Sequence, residues 1–461
     1  MSASTFVTKR GAALAAGPLL GAICYALAIW GGLPAPAAAT AGITGLCACW
    51  WVLEPIAIPA TSLIPFAAFP LTGVLDHKQV AGAYGHTLIL LLLGGFLVSM
   101  ALEKSGAHRR LALGMVRLVG GTSGRRLVLG FMLATAVMSM WISNTAATLM
   151  MLPVALALIE SDRGPLSRAL LLGIAYSASI GGLGTPIGTP PNVIFMGIYK
   201  EVAGAEMSFS EWMRIGVPAV IVLLPIAWLV VTRGVTKRVE LKLPSVGPWR
   251  AAEARVLVVF GLTALAWITR TEPFGGWSRF VGGSAVSDST GALAAAVILF
   301  LIPDGDGGAL LDWSTARKIP WGLLVLFGGG IAIARAFEES GLSAALGAAL
   351  SAVSTLPLFG MLCIVCLSVT FLTEVTSNTA TATLLMPVLA AAALGAGLDP
   401  KLLMVPAALS ASCAFMLPVA TAPNAIIFGT DRVSVRQMAR SGAVLNVFGA
   451  FALALLCYLL L

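Results

Sequence analysis

Long apolar stretches, separated by short polar or Pro/Gly-rich breaks, dominate this chain of 461 residues. A helix needs about 20 apolar residues to cross a bilayer, and the pattern offers eleven such windows. They lie near 12–30, 38–54, 56–74, 86–103, 168–199, 214–232, 254–270, 288–302, 321–337, 402–429 and 441–461. Residues 104–126 are predicted to form a polar loop. The pattern therefore predicts an all-α polytopic membrane protein.

Four shorter apolar arms occur in two pairs, and each pair meets at a polar interruption. The pairs occupy about 127–160 and 358–395, and both are centred on Ser-Asn-Thr, at 143–145 and again at 377–379. The two copies lie 234 residues apart, which is half of the chain. Each pair forms either two thin spans or a re-entrant hairpin that enters and leaves on one side. Either way, the pair adds an even number of crossings.

Two further pairs of motifs extend this repeat in the same order. Residues 94–106 are similar to 329–341, and Thr-Pro-Pro-Asn at 189–192 parallels Thr-Ala-Pro-Asn at 421–424. The span near 321 is the fifth unpaired crossing after the span near 86, so equivalent elements run in opposite directions. The repeat is predicted to be inverted. Inverted halves with interrupted helices at corresponding positions are typical of secondary transporters, with the site where the interruptions meet.

Composition and charge exclude a soluble domain and indicate an orientation. The chain is 58% hydrophobic and 10% charged, with a mean hydropathy of +0.96. With the N-terminus in the cytoplasm, 21 of the 28 Lys and Arg residues fall on the cytoplasmic side, as expected for a multi-pass protein of the cell (inner or plasma) membrane. The net charge of +8 therefore reports topology, and no nucleic-acid partner is expected. The first apolar run resembles a signal peptide, but its length favours an uncleaved helix.

The Ser-Asn-Thr interruptions carry polar groups that cannot be left without partners at membrane depth. Their hydroxyl and carbonyl oxygens suit a hard cation such as sodium. The second arm of each pair begins at the tip, so its helix N-terminus favours an anion nearby. Alternatively, these residues only hold helices together, as polar residues often do in membranes. Their duplication in two halves favours a binding site.

The breaks at 184–192 and 417–424 interrupt the spans that begin near 168 and 402. Proline frees a carbonyl group one turn earlier, and glycine or alanine lets the backbone approach an ion closely. Plain proline kinks are the alternative, but matched positions in both halves favour ion coordination. Glu374 is an exceptional charge in the predicted interior, and we expect it to cap or pair near the second tip rather than to tune a cation site.

At these motifs the chain resembles the divalent anion/sodium symporter family, which includes the bacterial sodium-coupled dicarboxylate transporters and their animal relatives. The paired Ser-Asn-Thr motifs, the Gly-Thr-Pro-Pro-Asn break at 188–192 and the run 371–379 carry the resemblance. It implies about eleven transmembrane helices, two re-entrant hairpins, a homodimer held by a scaffold domain, and elevator-type movement of a transport domain. The corresponding scaffold parts are residues 1–120 and 233–350, and the transport parts are 121–232 and 351–461.

The resemblance also implies a set of binding residues. The first sodium site would use Ser139, Ser143, Asn144 and Gly188, and the second would use Thr373, Thr376, Asn378 and Ala420. The substrate carboxylates would be held by Asn144, Thr145, Thr189, Asn378, Thr379 and Thr421. Ala422 stands where such transporters commonly have a proline, which bears on the distal contact of the substrate.

These observations predict a secondary active transporter that carries C4 dicarboxylates (succinate, malate or fumarate) into the cytoplasm by symport with sodium. Independently of the resemblance, a dianion that enters an apolar site needs accompanying cations, because its desolvation is otherwise prohibitive. Alternatives are a sodium-independent dicarboxylate exchanger and a symporter for sulfate or citrate. An intramembrane protease would need a nucleophile with a base or paired aspartates, which the spans do not offer, so no enzyme is expected. The duplicated hairpins disfavour an anion channel.

Overall fold

The computed structural model of the chain describes residues 3–121, 123–159, 164–236, 247–271, 275–349 and 357–461. Within these ranges the protein is helical, as the apolar pattern predicts, with two short 3₁₀ turns and an isolated β-bridge between Pro303 and Ala309. The helices are α1 (Ala3–Trp30), α2 (Ala35–Leu53), α3 (Ile58–Thr61), α4 (Ile64–Leu71), α5 (His77–Tyr84), α6 (Thr87–Ser105), α7 (Ala107–Val119), α8 (Gly124–Ser139), α9 (Asn144–Leu158), α10 (Pro165–Gly182), α11 (Pro190–Ala203), α12 (Phe209–Val231), α13 (Ala251–Ile268), α14 (Asp288–Leu301), α15 (Trp313–Ala316), α16 (Trp321–Glu339), α17 (Leu342–Ala349), α18 (Leu358–Thr373), α19 (Asn378–Gly395), α20 (Lys401–Ala411), α21 (Ala422–Phe428) and α22 (Val435–Leu460).

Eight helical segments in the described part of the chain are long and apolar enough to cross a membrane. The chain is therefore a multi-pass membrane protein, although the number of eleven spans stays a prediction. The window predicted near 56–74 is not one long helix but the two short helices α3 and α4. Pro59 and Pro65 each lie in the first turn of one of them, where a proline starts a helix more readily than it continues one.

The prediction of a polar loop at 104–126 is wrong, because α7 occupies most of it. Its apolar residues Leu113 and Val116 are buried, whereas Arg109 is exposed, so the segment has the one-sided pattern of a surface helix. Apolar residues recur at the spacing of one helix face, and polar residues fall between them, so the sequence already carried this signal. A counterpart, α17, begins 235 residues after α7.

The two halves of the chain contain the same eight helices in the same order, α5 to α12 and then α15 to α22. Even the helix caps repeat. Asp76 and Asp312 cap α5 and α15 through side chains that accept a backbone N–H, and Ser208 and Ser434 form capping boxes at the starts of α12 and α22. The repeat predicted from three motif pairs therefore extends over most of each half.

The halves interlock rather than pack side by side. Helix α10 of the first half contacts α21 of the second, and α20 contacts α11 in return. Likewise, α9 packs on α21 while α19 packs on α11. Each hairpin therefore lies against the broken helix of the other half, and one continuous apolar core joins them.

Candidate functional site

The arm pairs form helical hairpins whose tips end inside the protein. Helices α8 and α9 have 16 and 15 residues, and α18 and α19 have 16 and 18. At 1.5 Å per residue, α8, α9 and α18 are about 22–24 Å long, which is short of the ~30 Å hydrocarbon core of a bilayer. Helix α19 is one of the eight segments that are long and apolar enough to cross. Both tips line a common cavity, which is open on one side because its lining residues Val375 and Val419 are exposed. This geometry favours re-entrant hairpins over thin spans.

The cavity has a volume of about 590 Å³ and brings both tips and both breaks together. One wall is apolar and comes from α6 and α16, through Leu92, Phe96, Leu323 and Phe327. The facing wall is polar and contains the residues named from the motifs. All six predicted substrate residues line it, namely Asn144, Thr145, Thr189, Asn378, Thr379 and Thr421, together with Ser143, Gly188, Thr376 and Ala420 from the predicted sodium sites.

The remaining two predicted sodium ligands, Ser139 and Thr373, are buried behind the cavity wall, against the tip asparagines. Ser139 Oγ lies 2.6 Å from Asn144 Oδ1 and 2.6 Å from the Ala178 carbonyl oxygen. A hydroxyl has a single hydrogen, so it can donate to one of these oxygens and not to both. The three oxygens therefore lie close together around one hydroxyl hydrogen, which leaves lone pairs available to a cation.

Gly182 leaves the space in which further oxygens approach the first cluster. A Cβ atom at Gly182 would lie 2.8 Å from Asn144 Oδ1 and 3.1 Å from the Gly188 carbonyl oxygen. Both oxygens therefore face the same gap, at the end of α10. Hydroxyl, amide and carbonyl oxygens are the ligands that hard cations prefer, so the arrangement fits sodium.

The second half repeats this cluster with a threonine in place of the serine. Thr373 Oγ1 lies 2.7 Å from Asn378 Oδ1 and 2.8 Å from the Ala411 carbonyl oxygen. The Thr373 hydroxyl also has a single hydrogen for two nearby acceptor oxygens. Two oxygen clusters of one design therefore lie at equivalent positions in the two halves.

Two other predicted sodium ligands have hydrogen bonds within their own hairpins. Ser143 Oγ accepts a hydrogen bond from the Ala146 amide at 3.1 Å and so caps α9. Thr376 Oγ1 donates to the Leu372 carbonyl oxygen at 2.8 Å. These hydroxyls help to shape the tips, and both still line the cavity.

Buried asparagines hold the two pieces of each broken helix together. Asn192 Nδ2 donates to the carbonyl oxygens of Gly182, at 3.0 Å, and Thr185, at 2.8 Å. Asn424 makes the same pair of bonds in the second break, both at 3.1 Å. The sequence predicts ion coordination for these breaks and gives no separate role to their asparagines. The interrupted helix leaves carbonyl groups free in each break, and the asparagine side chain satisfies two of them.

Several helix N-termini point toward the cavity. Helices α9 and α19 begin at the tip asparagines, so Thr145 and Thr379 lie in their first turns. Helix α11 begins next to Thr189, whose hydroxyl lies 3.3 Å from Ser412 Oγ of the other half. The positive ends of the helix dipoles, and the free N–H groups of α9 and α19, make such a wall favourable for an anion. Helix α11 begins with two prolines and so contributes its dipole alone.

Glu374 holds the second break by accepting four hydrogen bonds. Its carboxylate accepts from the backbone N–H groups of Phe415 (2.6 Å), Met416 (2.8 Å) and Leu417 (3.0 Å). It also accepts from Asn446 Nδ2 of α22 at 2.7 Å. The side chain is 3% exposed. This geometry fits the structural role expected for Glu374, although its partners on α20–α21 and α22 were not foreseeable from the motif.

The charged side chains that line the cavity, among the described residues, are Glu54 and Glu374. No lysine or arginine of the described ranges lines it. Two carboxylates beside the cavity would repel an anionic ligand. Any anion bound there must therefore be balanced by bound cations, helix N-termini and neutral donors rather than by basic side chains.

Sequence comparisons place related transporters beside this chain. The family described as "Sodium:sulfate symporter transmembrane region" matches residues 12–460. The sodium-dependent dicarboxylate transporter SdcS of Staphylococcus saprophyticus is 41% identical over 444 residues, which cover 91% of this chain and 85% of that protein. The protein of the same name from Staphylococcus aureus is 41% identical over 443 residues, covering 90% and 84%.

Solved structures support the fold. The crystal structure of the Alcanivorax borkumensis YdaH transporter aligns with a TM-score of 0.60 at 15% identity, covering 82% of this chain and 87% of that one. The structure of Neisseria gonorrhoeae MtrF, described as one of a class of antimetabolite efflux pumps, aligns with a TM-score of 0.59 at 15% identity, covering 84% of this chain and 83% of that one. At this identity the likeness shows a shared transporter fold and nothing about the transported molecule.

Proposed function

This chain belongs to the sodium:sulfate symporter family, the divalent anion/sodium symporters that its motifs resemble, and we propose that it imports C4 dicarboxylates together with sodium. It is a transporter and not an enzyme. The observation that carries the proposal is the pair of oxygen clusters at Ser139–Asn144 and Thr373–Asn378, beside a cavity without a basic side chain among its described lining residues. Cations must complete such a site before a dianion can enter it.

The proposed ligands follow from the positions around the cavity. One sodium ion binds at Ser139, Ser143, Asn144 and Gly188, and a second binds at Thr373, Thr376, Asn378 and Ala420. Between them the two carboxylates of succinate, malate or fumarate accept hydrogen bonds from Asn144, Thr145, Thr189, Asn378, Thr379 and Thr421. Sodium binding shapes the tips that receive the anion, so the sodium gradient drives uptake into the cytoplasm. Each net positive charge that enters adds about 2.3 kcal/mol per 100 mV of membrane potential.

We further propose that the polar wall moves against the apolar one. The hairpins and breaks form the moving part, in residues 121–232 and 351–461, and residues 1–120 and 233–350 form the scaffold. Leu92, Phe96, Leu323 and Phe327 give the scaffold a smooth apolar surface, along which an occupied polar site can slide in an elevator-type movement. The scaffold would also hold a homodimer in the cell membrane, with each N-terminus in the cytoplasm, as the distribution of Lys and Arg favours.

Reconstitution in liposomes tests the coupling. Labelled succinate uptake is measured under an inward sodium gradient, and then with potassium or choline in place of sodium. We expect uptake above background with sodium alone, and competition by excess unlabelled fumarate or malate. Equal uptake in all three salts would overturn symport. Uptake that required internal dicarboxylate instead of sodium would identify an exchanger.

Sulfate is the second candidate substrate, because the matched family takes its name from sulfate. Sulfate is also a dianion, but it is much smaller than the cavity of about 590 Å³, whose two oxygen clusters better suit an anion with two separated carboxylates. Competition separates the candidates in the same assay. Inhibition of succinate uptake by sulfate and not by fumarate would transfer the assignment to sulfate.

A further inference from the structure

A second cavity, of about 340 Å³, lies where three helices end. Helix α10 begins there at Pro165, α12 ends there at Val231, and α22 begins there at Val435. Each helix or its end contributes one arginine. The lining residues are Arg168, Val230, Val231, Arg233, Gln437, Arg440, Ser441 and Val444. None of these residues belongs to the transport cavity.

The three arginines line one cavity, and the described residues of its lining include no carboxylate. In the described part of the chain, Arg168, Arg233 and Arg440 have neither an ion pair nor a side-chain hydrogen bond, and the cavity lining contains no Asp or Glu. Arg168 is half-buried, and Arg233 and Arg440 are exposed. The more buried Arg110 and Arg270 are paired, with Glu253 at 2.9 Å and with Asp288 at 2.6 Å. Three like charges around one cavity repel each other, and a bound anion would remove that repulsion.

The remaining lining identifies the kind of anion. Val230, Val231 and Val444 give the cavity an apolar side next to its arginines, and Leu229, which precedes Val230 in α12, is 51% exposed. A free inorganic anion has no apolar surface that such a side could bury. A phospholipid does, because its phosphate and its acyl chains are joined in one molecule.

The position in the membrane agrees with this chemistry. All three arginines belong to the segments that the charge distribution assigns to the cytoplasmic side. Basic pockets between helices on that side are suited to anionic lipid headgroups. We propose that this cavity binds the phosphate of an anionic phospholipid of the cytoplasmic leaflet, through Arg168, Arg233 and Arg440, with its acyl chains along α12 and α22.

The bound lipid would join helices that support the transport site. Gly216 of α12 lies against the Leu183 carbonyl group of the first break, and Gly442 of α22 lies against the Phe415 carbonyl group of the second. A lipid phosphate shared by α10, α12 and α22 therefore stabilises the ends of the helices that hold both breaks. This role is separate from substrate and sodium binding.

Lipid binding to the purified full chain tests the proposal. The chain and the triple variant Arg168→Gln, Arg233→Gln, Arg440→Gln are titrated with phosphatidylglycerol and with phosphatidylcholine, and bound lipid is measured by native mass spectrometry. A basic side chain at an anionic surface strengthens binding by about fivefold, so we expect the triple variant to bind phosphatidylglycerol at least about 20-fold more weakly. Phosphatidylcholine binding should not change.

A matched control removes three exposed arginines that do not line the cavity, as Arg109→Gln, Arg317→Gln, Arg436→Gln. We expect this variant to bind phosphatidylglycerol within twofold of the unmodified chain. An equal loss in both triple variants would mean that overall surface charge attracts the lipid, and an unchanged affinity in the first triple variant would also overturn the proposal.

Two further measurements keep the test decisive. Displacement of phosphatidylglycerol by millimolar inorganic phosphate would identify a free-anion site and would contradict the lipid assignment. If the triple variant failed to fold, as judged by gel filtration, the single variant Arg233→Gln would be tested, because this side chain is exposed. We expect it to weaken phosphatidylglycerol binding about fivefold, and no weakening would count against the proposal.

Discussion

The two broken helices differ in how their unwound segments are held, although their ligand-bearing ends are alike. The first break has glycines at 181, 182, 184 and 188, and those at 181, 182 and 188 let backbone segments pack directly on each other. The same positions in the second break are Cys413, Ala414, Met416 and Ala420. Side chains fill the second break where backbone atoms meet in the first.

Different groups also satisfy the backbone N–H groups of the two breaks. In the first break, Leu183 and Gly184 donate to carbonyl oxygens of their own chain one turn earlier, at 3.1 and 2.9 Å. In the second break, the amides at 415–417 donate to Glu374, whose counterpart in the first hairpin is Met140. The Met140 side chain instead packs over Gly184, where a Cβ atom would lie 2.6 Å from it.

The comparison teaches which parts of the repeat carry the chemistry. The tip asparagines, the hydroxyls of Ser139 and Thr373, and the break asparagines keep the same contacts in both halves. The residues that support these groups differ between the two halves. A binding geometry can therefore be repeated while its support is a close backbone contact on one side and a buried carboxylate on the other.

The largest expected effect comes from the residues that are alike. Asn144→Ala and Asn378→Ala each remove an oxygen from one cluster and a donor from the substrate site, so each should lower sodium-driven succinate uptake on the order of 100-fold. Uptake in liposomes and thermal unfolding in detergent are measured together, and unfolding should be little changed. Sodium-driven uptake retained in either variant would mean that these tips only hold helices together.

Glu374→Gln should weaken the second break alone, because the equivalent residue of the first hairpin is Met140 and accepts no such hydrogen bonds. The glutamine has one acceptor oxygen for four donors, so buried N–H groups lose partners at about 1–3 kcal/mol each. We expect a lower unfolding temperature and about a 10-fold higher half-maximal sodium concentration for uptake. Met140→Leu is the matched control and should leave both nearly unchanged. Equal losses in the two variants would remove the asymmetry between the breaks.

Gly182→Ala should weaken the first half selectively. The added Cβ atom would lie 2.8 Å from Asn144 Oδ1, inside normal contact distance, so the oxygen cluster must shift. We expect about a fivefold higher half-maximal sodium concentration for uptake, since overpacking costs about 1–3 kcal/mol. Ala414→Gly makes the reverse change in the second break and should alter this value less than twofold. A silent Gly182→Ala would show that the first cluster does not use this space.

Thr373→Ser has the smallest expected effect, because serine is the natural residue at the equivalent position of the first cluster. The hydroxyl that contacts Asn378 and the Ala411 carbonyl group is kept. Half-maximal sodium should rise no more than about twofold, whereas Thr373→Val, which has the same shape without the hydroxyl, should raise it about 10-fold. If both variants behaved alike, the threonine methyl group and not its oxygen would be the important feature.

The helical hairpins and broken helices could be predicted from the sequence, because their motifs recur at fixed separations and their apolar arms are continuous. The structure confirms the arms as α8, α9, α18 and α19, and the breaks after α10 and α20. The all-α fold was equally accessible from the length of the apolar windows. Local pattern is sufficient for such features.

Contacts between distant segments could not be predicted. Glu374 and Asn446 are 72 residues apart, and the need for a glycine at 182 depends on a side chain from another helix. Helix α7 is a different case, since its one-sided pattern was visible but its arginines favoured a loop. Binding roles carried over by motif at Ser139 and Thr373 remain predictions, although both hydroxyls contact a tip asparagine.

Because the halves interlock, the first hairpin cannot complete its packing until the second half has been synthesised. The first hairpin packs on α10 of its own half, but its α9 also packs on α21 of the second half. Asn378 follows Asn144 by 234 residues, and at about 5–20 residues per second the ribosome needs roughly 10–50 s to reach it. During this time the polar tip at 143–145 has no partner tip inside the membrane. We expect the insertion machinery to shelter the first hairpin until the second half arrives.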